Sequence, residues 1–148
     1  MKKFQIALCA GLAAMLLLAV VGVARGERLS VKTSTANVRN GPGDQYEVIW
    51  QVGKYHPLEI IQKAGVWYRF RDSDRDEGWI HSSVLDDTHT VVTIKENCPV
   101  YTSPDHKSKV MFTAEKGVPF KIVKGKGVWI QVQHEDGDKG WIHKSLVW

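Results

Sequence analysis

Cysteine is scarce: Cys9 and Cys98 are the whole complement of 148 residues. Two thiols exclude a disulfide-dense scaffold and a four-cysteine zinc site. Alanine almost vanishes after Glu27, where Ala36, Ala64 and Ala114 are the only three. A segment poor in the best helix former and rich in Val, Ile, Thr and aromatics is expected to be all-β. Excess charge is also missing. The 20 Lys+Arg against 16 Asp+Glu give only +4, too little to mark a nucleic-acid partner. No nucleophile–base constellation is visible either. Cys98 stands before Pro99 on an apolar-patterned stretch, where a small buried thiol is expected rather than an activated one. Enzymatic activity and a cofactor are therefore not expected.

One long uncharged run is present, at the N-terminus. Met1-Lys2-Lys3 is followed by an uncharged stretch from Ile6 to Ala24 and by the small residues of Ala24-Arg25-Gly26. Positive start, apolar middle and small-residue exit make residues 1–26 a secretory signal peptide. A retained anchor is the alternative, since about 18 apolar residues span a bilayer. Both readings place the remainder outside the cytoplasm, in the periplasm or beyond, with membrane contact only if the segment stays. Without Lys2, Lys3 and Arg25, the remainder holds 17 basic and 16 acidic residues.

That remainder is one unit written twice. A shift of 62 residues places Gly65-Val66-Trp67 on Gly127-Val128-Trp129 and Gly78-Trp79-Ile80-His81 on Gly140-Trp141-Ile142-His143, with 16 identities over residues 37–85 against 99–147. Two domains follow, 27–87 and 88–148. Strands are expected at Val48–Val52, Leu58–Gln62 and Gly78–His81 and their counterparts. Alternation puts Val66, Tyr68 and Phe70 on one face, and Trp67, Arg69 and Arg71 on the other. Val128, Ile130 and Val132 repeat the pattern against Trp129, Gln131 and Gln133. Gly/Pro/Asp clusters supply the turns. Units of about 60 residues are marginal alone, so packing of one on the other is expected to help.

The first repeat resembles a bacterial SH3 domain through Ala36-Asn37-Val38-Arg39-Asn40-Gly41-Pro42-Gly43, Gly65-Val66-Trp67-Tyr68-Arg69-Phe70 and Glu77-Gly78-Trp79-Ile80-His81-Ser82-Ser83-Val84-Leu85. The second repeat departs at Cys98–Asp105 and keeps the Trp129 strand and the Gly140–His143 ending. The resemblance implies two consecutive five-stranded, strongly bent barrels, each with a one-turn helix, near Ser82–Val84 and Lys144–Leu146. It also implies an extracytoplasmic role in cell-wall binding.

Trp67 and Trp129 share their strand face with polar groups, and the resemblance puts them where a ligand-contacting tryptophan stands. Each either meets a ligand or packs on its own loop or on the other domain. Tyr46 and Asn40 are expected to flank Trp67. His81 and His143 recur after Gly-Trp-Ile, but neither has partners at metal-ligand spacing, so they read as strand-end residues bordering the ligand surface. A proline-rich ligand is not expected, because His81 and Val84 replace the proline and tyrosine of that groove, as do His143 and Leu146. Asp72–Gly78 has a D-x-D-x-D beat, but Glu77 occupies the sixth position of a calcium loop and Ser83 the twelfth. An acidic hairpin tip is expected there, and no metal. Lys116, Lys121, Lys124 and Lys126 cluster in the second repeat, either as a solvated hairpin or as an attractant for anionic polymers or headgroups. The expected partner is cell-wall peptidoglycan, through its peptide or glycan. The alternative is an envelope protein to which the chain docks as an accessory subunit.

Overall fold

A computed structural model describes residues 26–148. The signal-peptide reading of residues 1–26 lies outside the described residues, Gly26 apart. In the first repeat β1 spans Glu27–Val31, β2 Thr35–Arg39, β3 Val48–Gly53, β4 Pro57–Ala64, β5 Trp67–Arg71, β6 Glu77–His81 and β7 Leu85–Asp86. In the second, β8 spans Thr90–Val92, β9 Cys98–Tyr101, β10 Val110–Ala114, β11 Pro119–Lys126, β12 Trp129–Gln133 and β13 Lys139–His143. One-turn 3-10 helices stand at Ser82–Val84 and Lys144–Leu146.

The first sheet runs β3-β2-β6-β5-β4-β1-β7 and the second β10-β9-β13-β12-β11-β8. The five expected strands are β2–β6 and β9–β13. The entering strands β1 and β8 extend them by pairing with β4 and β11. The chain's last residues mirror β7: Thr93 bridges Val147, and Val92 and Trp148 exchange both backbone hydrogen bonds.

Alternation along each strand fills two separate cores. Val31, Val38, Leu58, Phe70 and Ile80 are fully buried in the first, and Cys98, Val100, Phe120, Val132 and Ile142 in the second. Val66 and Val128 do not join them. They are 53% and 55% exposed, because each follows a glycine at φ +61° or +59° in a hairpin turn and the strand parity begins only at the next residue. The Cys98 thiol donates to the Lys95 carbonyl at 3.0 Å, and burial raises its pKa, the reverse of what a nucleophile needs.

Both long hairpins carry a bulge at the same place. Pairing shifts between Ile60 and Gln62 in β4, and between Ile122 and Lys124 in β11. The extra residue reverses strand parity, so Glu59, Gln62 and Ala64 share one face, as do Lys121, Lys124 and Lys126.

Two left-handed non-glycine residues of the first repeat are glycines in the second. Tyr55 (φ +67°) corresponds to Gly117 (φ +84°), and Arg75 (φ +67°) to Gly137 (φ +102°). A side chain in that region costs roughly 1–2 kcal/mol. Arg75 is exposed, so Arg75→Gly is expected to stabilise the chain by about 0.5–1 kcal/mol after glycine's own entropic cost. Urea denaturation reads this directly, and a loss of stability would contradict it.

The repeats touch along a seam. The Arg28 guanidinium lies 4.0 Å from the centre of the Trp148 ring. The Ser30 hydroxyl donates to the Thr88 carbonyl at 2.9 Å, and Lys116 pairs with Asp74 at 3.2 Å. His56 and Asp72 of the first repeat and Pro119 and His134 of the second line one cleft. Burial lowers the pKa of His56 from 6.5, and Asp72 and Asp74 only partly oppose it. The neutral ring is therefore favoured in the fold. That stability is present above pH 6.5 and is lost as pH falls through the depressed folded value. The unfolding midpoint is expected to drop between pH 7 and about pH 5, with a shallower drop in His56→Gln. An equal drop in the variant would remove His56 as the cause.

Candidate functional site

Antiparallel pairing sets side chains on a common face. On the outer face of the first repeat, Arg39 opposes Trp79, and Trp79 opposes Arg69. Beside that row, His81 opposes Trp67, and Trp67 opposes Ala64. Glu77 opposes Arg71, and Arg71 opposes Glu59. Two tryptophans, both half-buried, thus stand one strand step apart among arginines.

His81 is a working part of this fold. The Ser83 N–H donates to its Nδ1 at 3.1 Å, capping the one-turn helix, and the Ser83 hydroxyl lies 2.7 Å away. A backbone donor makes Nδ1 the acceptor, so the neutral ring carries its proton on Nε2. The ring stands edge-on to Trp67, with centres 5.1 Å apart. His143 repeats the cap with Ser145 and stands 5.4 Å from Trp129.

Arg39 reaches Trp67 at 6.0 Å, where Tyr46 and Asn40 were the expected neighbours. Its guanidinium donates to the carbonyls of Tyr46 (2.8 Å) and Asp44 (3.1 Å), with the Asp44 carboxylate at 3.9 Å. It therefore ties the 40–47 loop to the tryptophan. The Tyr46 ring lies on Gly41, where a Cβ would fall inside it. Asn40 is exposed, and its backbone N–H donates to the Glu47 carbonyl. Arg69 and Arg71 grip Glu77 at 2.6 and 2.8 Å. The hydrogen bond from Arg71, joined by Arg69, holds that carboxyl below the usual carboxylate range.

The second repeat builds the same place and closes it. Tyr101 stands where Arg39 does, and His106 where Asp44 does. The His106 ring lies 4.6 Å from Trp129 and stacks on His143 at 5.8 Å with 21° between planes. Tyr101 adds an edge contact to Trp129 at 5.6 Å. Trp129 is left 8% exposed. Of the two readings open for Trp129, the structure shows packing on its own loop, where aromatic rings replace the Arg39–Asp44 pair of the first repeat. Trp141 is likewise 8% exposed.

The Asp72–Gly78 tip is built from its own backbone. The Asp72 carboxylate accepts the N–H groups of Asp74 and Asp76, both at 2.9 Å. Both bonds fall on Oδ1, which is thereby committed to the turn.

Trp79, Arg39, Tyr101 and His106 were not singled out from the sequence. Trp79 was within reach, since period two from His81 leads to it. Tyr101 and His106 lie 62 residues after Arg39 and Asp44, and the exchange of a charged pair for two rings was the signal of closure.

Among proteins of known name, the probable cell wall amidase LytH of Staphylococcus epidermidis is 42% identical over 52 residues, 34% of this chain and 18% of that protein. YrvJ of Bacillus subtilis, provisionally named an N-acetylmuramoyl-L-alanine amidase, is 25% identical over 135 residues, 86% of this chain and 25% of that protein. The chain thus spans a quarter or less of these relatives. Among solved structures, NlpC1 from Trichomonas vaginalis aligns with a TM-score of 0.38 and 11% identity, over 89% of this chain and 49% of that one. The bacterial SH3 domain matches residues 32–87 and again 94–148. The chain belongs to the bacterial SH3 domain family and carries its domain twice.

Proposed function

We propose that the chain is a non-enzymatic, exported binding protein that holds cell-wall peptidoglycan, by its peptide or glycan, on the Trp67 face of the first repeat. The observation that carries this reading is the contrast between repeats: one open tryptophan with Arg39 and His81 beside it, and one closed. An open indole offers a flat apolar surface to a sugar ring or a peptide. The Nε2–H of His81 and the edge of Arg39 supply donors for hydroxyls and carbonyls. The relatives add support, since proteins named as cell wall amidases match 52 and 135 residues of this chain. No catalytic step is assigned to the chain, whose described thiol is buried and paired with a carbonyl.

The test is co-sedimentation of the protein with purified sacculi stripped of anionic polymers. Binding with quenching or a shift of tryptophan fluorescence supports the reading. No co-sedimentation above a control protein removes it, and capture of an envelope protein instead would favour the accessory-subunit role.

A further inference from the structure

The face that carries Trp67 in the first repeat mixes arginines with Glu59 and Glu77, and its counterpart in the second carries lysines without carboxylates. Lys121 opposes Gln133, Lys124 opposes Gln131, and Lys126 opposes Trp129. On the next strand Lys139 opposes Gln133, and Trp141 opposes Gln131. The bulge in β11 brings Lys121, Lys124 and Lys126 onto one side, and pairing adds Lys139 to it. All four are exposed. At matched positions the first repeat has Glu59, Gln62, Ala64 and Glu77. Two carboxylates have thus become lysines, and the arginines gripped by Glu77 have become Gln131 and Gln133.

No strand position of this face holds a carboxylate. Among the described residues, none of the four lysines makes an ion pair. The acids nearest in sequence lie in the turn after β12, where Asp136 is engaged by His134 and by the Asp138 N–H. Asp86, which shares a seam cavity with Lys121, is taken by the Ser30 hydroxyl and the Thr88 N–H. Lys124 lies 5.7 Å from the Trp141 ring. Like charges held this close repel one another, and a bound anion would relieve that.

We propose that the β11–β12–β13 face of the second repeat is a binding site for a linear polymer of phosphate groups. The three lysines of β11 follow alternate positions of the facing strand, about 7 Å apart, so successive charges of an extended chain meet successive ammonium groups. Gln131 and Gln133 between them donate to the same oxygens. A membrane surface fits less well, because no exposed large apolar residue stands at a paired position of this face, where Trp129 and Trp141 are each 8% exposed. The site is independent of the Trp67 reading.

The experiment titrates the full chain with long-chain inorganic polyphosphate over a range of salt concentrations. The combined variant Lys121→Gln, Lys124→Gln, Lys126→Gln, Lys139→Gln is expected to bind at least tenfold more weakly. Its slope of log K against log salt should fall by about 3, as loss of four charge contacts to a flexible polyanion requires. Removing four lysines elsewhere (Lys32, Lys63, Lys95 and Lys109, each to Gln) should leave affinity within about threefold, and Trp67→Ala should leave it unchanged. Matching thermal melts show that each variant is folded. The proposal is overturned if wild type does not bind polyphosphate at low salt, or if the two lysine sets weaken binding equally. It is also overturned if phosphatidylglycerol vesicles bind the chain and polyphosphate does not displace them.

Discussion

Gly78→Ala is expected to destabilise the chain by about 3 kcal/mol. β6 crosses directly over Val38 of β2. A Cβ on Gly78 would enter the Val38 Cγ1, and Trp50 and the Arg39 carbonyl stand 3.2 and 3.6 Å away. Val38 is wholly buried, so it has no room to yield without opening the core. Gly140→Ala repeats the case, with Val100 Cγ1 at 2.5 Å and the Tyr101 carbonyl at 2.9 Å. Gly65→Ala serves as the contrast. Its Cβ would meet nothing within 4 Å, and only its left-handed backbone opposes the change, at roughly 1 kcal/mol. Urea denaturation of the three variants separates overlap from backbone strain. A cost for Gly78→Ala no larger than for Gly65→Ala would mean that the strands part easily and the overlap argument fails. Partial recovery in Val38→Ala with Gly78→Ala would localise the clash.

The two matched tryptophans are expected to fail in opposite assays. Trp67→Ala should lower affinity for stripped sacculi more than tenfold, about 1.4 kcal/mol or more, as loss of a central aromatic contact does. Its effect on stability should be modest, because the ring is half-buried. Trp129→Ala removes a ring packed by Tyr101, His106 and His143. It should cost about 3 kcal/mol of stability and leave sacculus affinity near wild type at a temperature where the variant is folded. Measuring both quantities on both variants is decisive. Weak sacculus binding in Trp129→Ala with wild-type binding in Trp67→Ala would reverse the roles assigned to the repeats.

Much of the fold was legible because duplication tests each element against itself. Gly78-Trp79-Ile80-His81 and its copy mark a strand in both halves, while the one-turn helices at Ser82–Val84 and Lys144–Leu146 were implied by the resemblance to the bacterial SH3 domain. The strand face of Trp67 was legible from alternation alone. Closure of Trp129 was not. It depends on a loop ring arriving from residues 102–109, a distance in space that periodicity does not encode. The exposure of Val66 and Val128 escaped for a different reason: the alternation was carried one residue too far, into a turn that begins at a left-handed glycine. Arg39 was passed over as part of a motif. Its bonds to the Tyr46 and Asp44 carbonyls place it beside the indole, and only the loop conformation reveals them.

The bulge at Val123 absorbs one extra residue while Lys121, Lys124 and Lys126 keep to one face. Exchanging Lys124 for another residue alters one charge and leaves the neighbours in place. Deleting Val123 would remove the bulge and leave Lys121, Lys124 and Lys126 in strict alternation, still opposite Gln133, Gln131 and Trp129. The matched bulge at Ile61 does the same for Glu59, Gln62 and Ala64 in the first repeat. Divergence between the two copies could therefore rewrite a binding surface letter by letter, from Glu59, Gln62 and Ala64 to Lys121, Lys124 and Lys126, while the count of residues between Pro57 and Trp67 remained the same as that between Pro119 and Trp129.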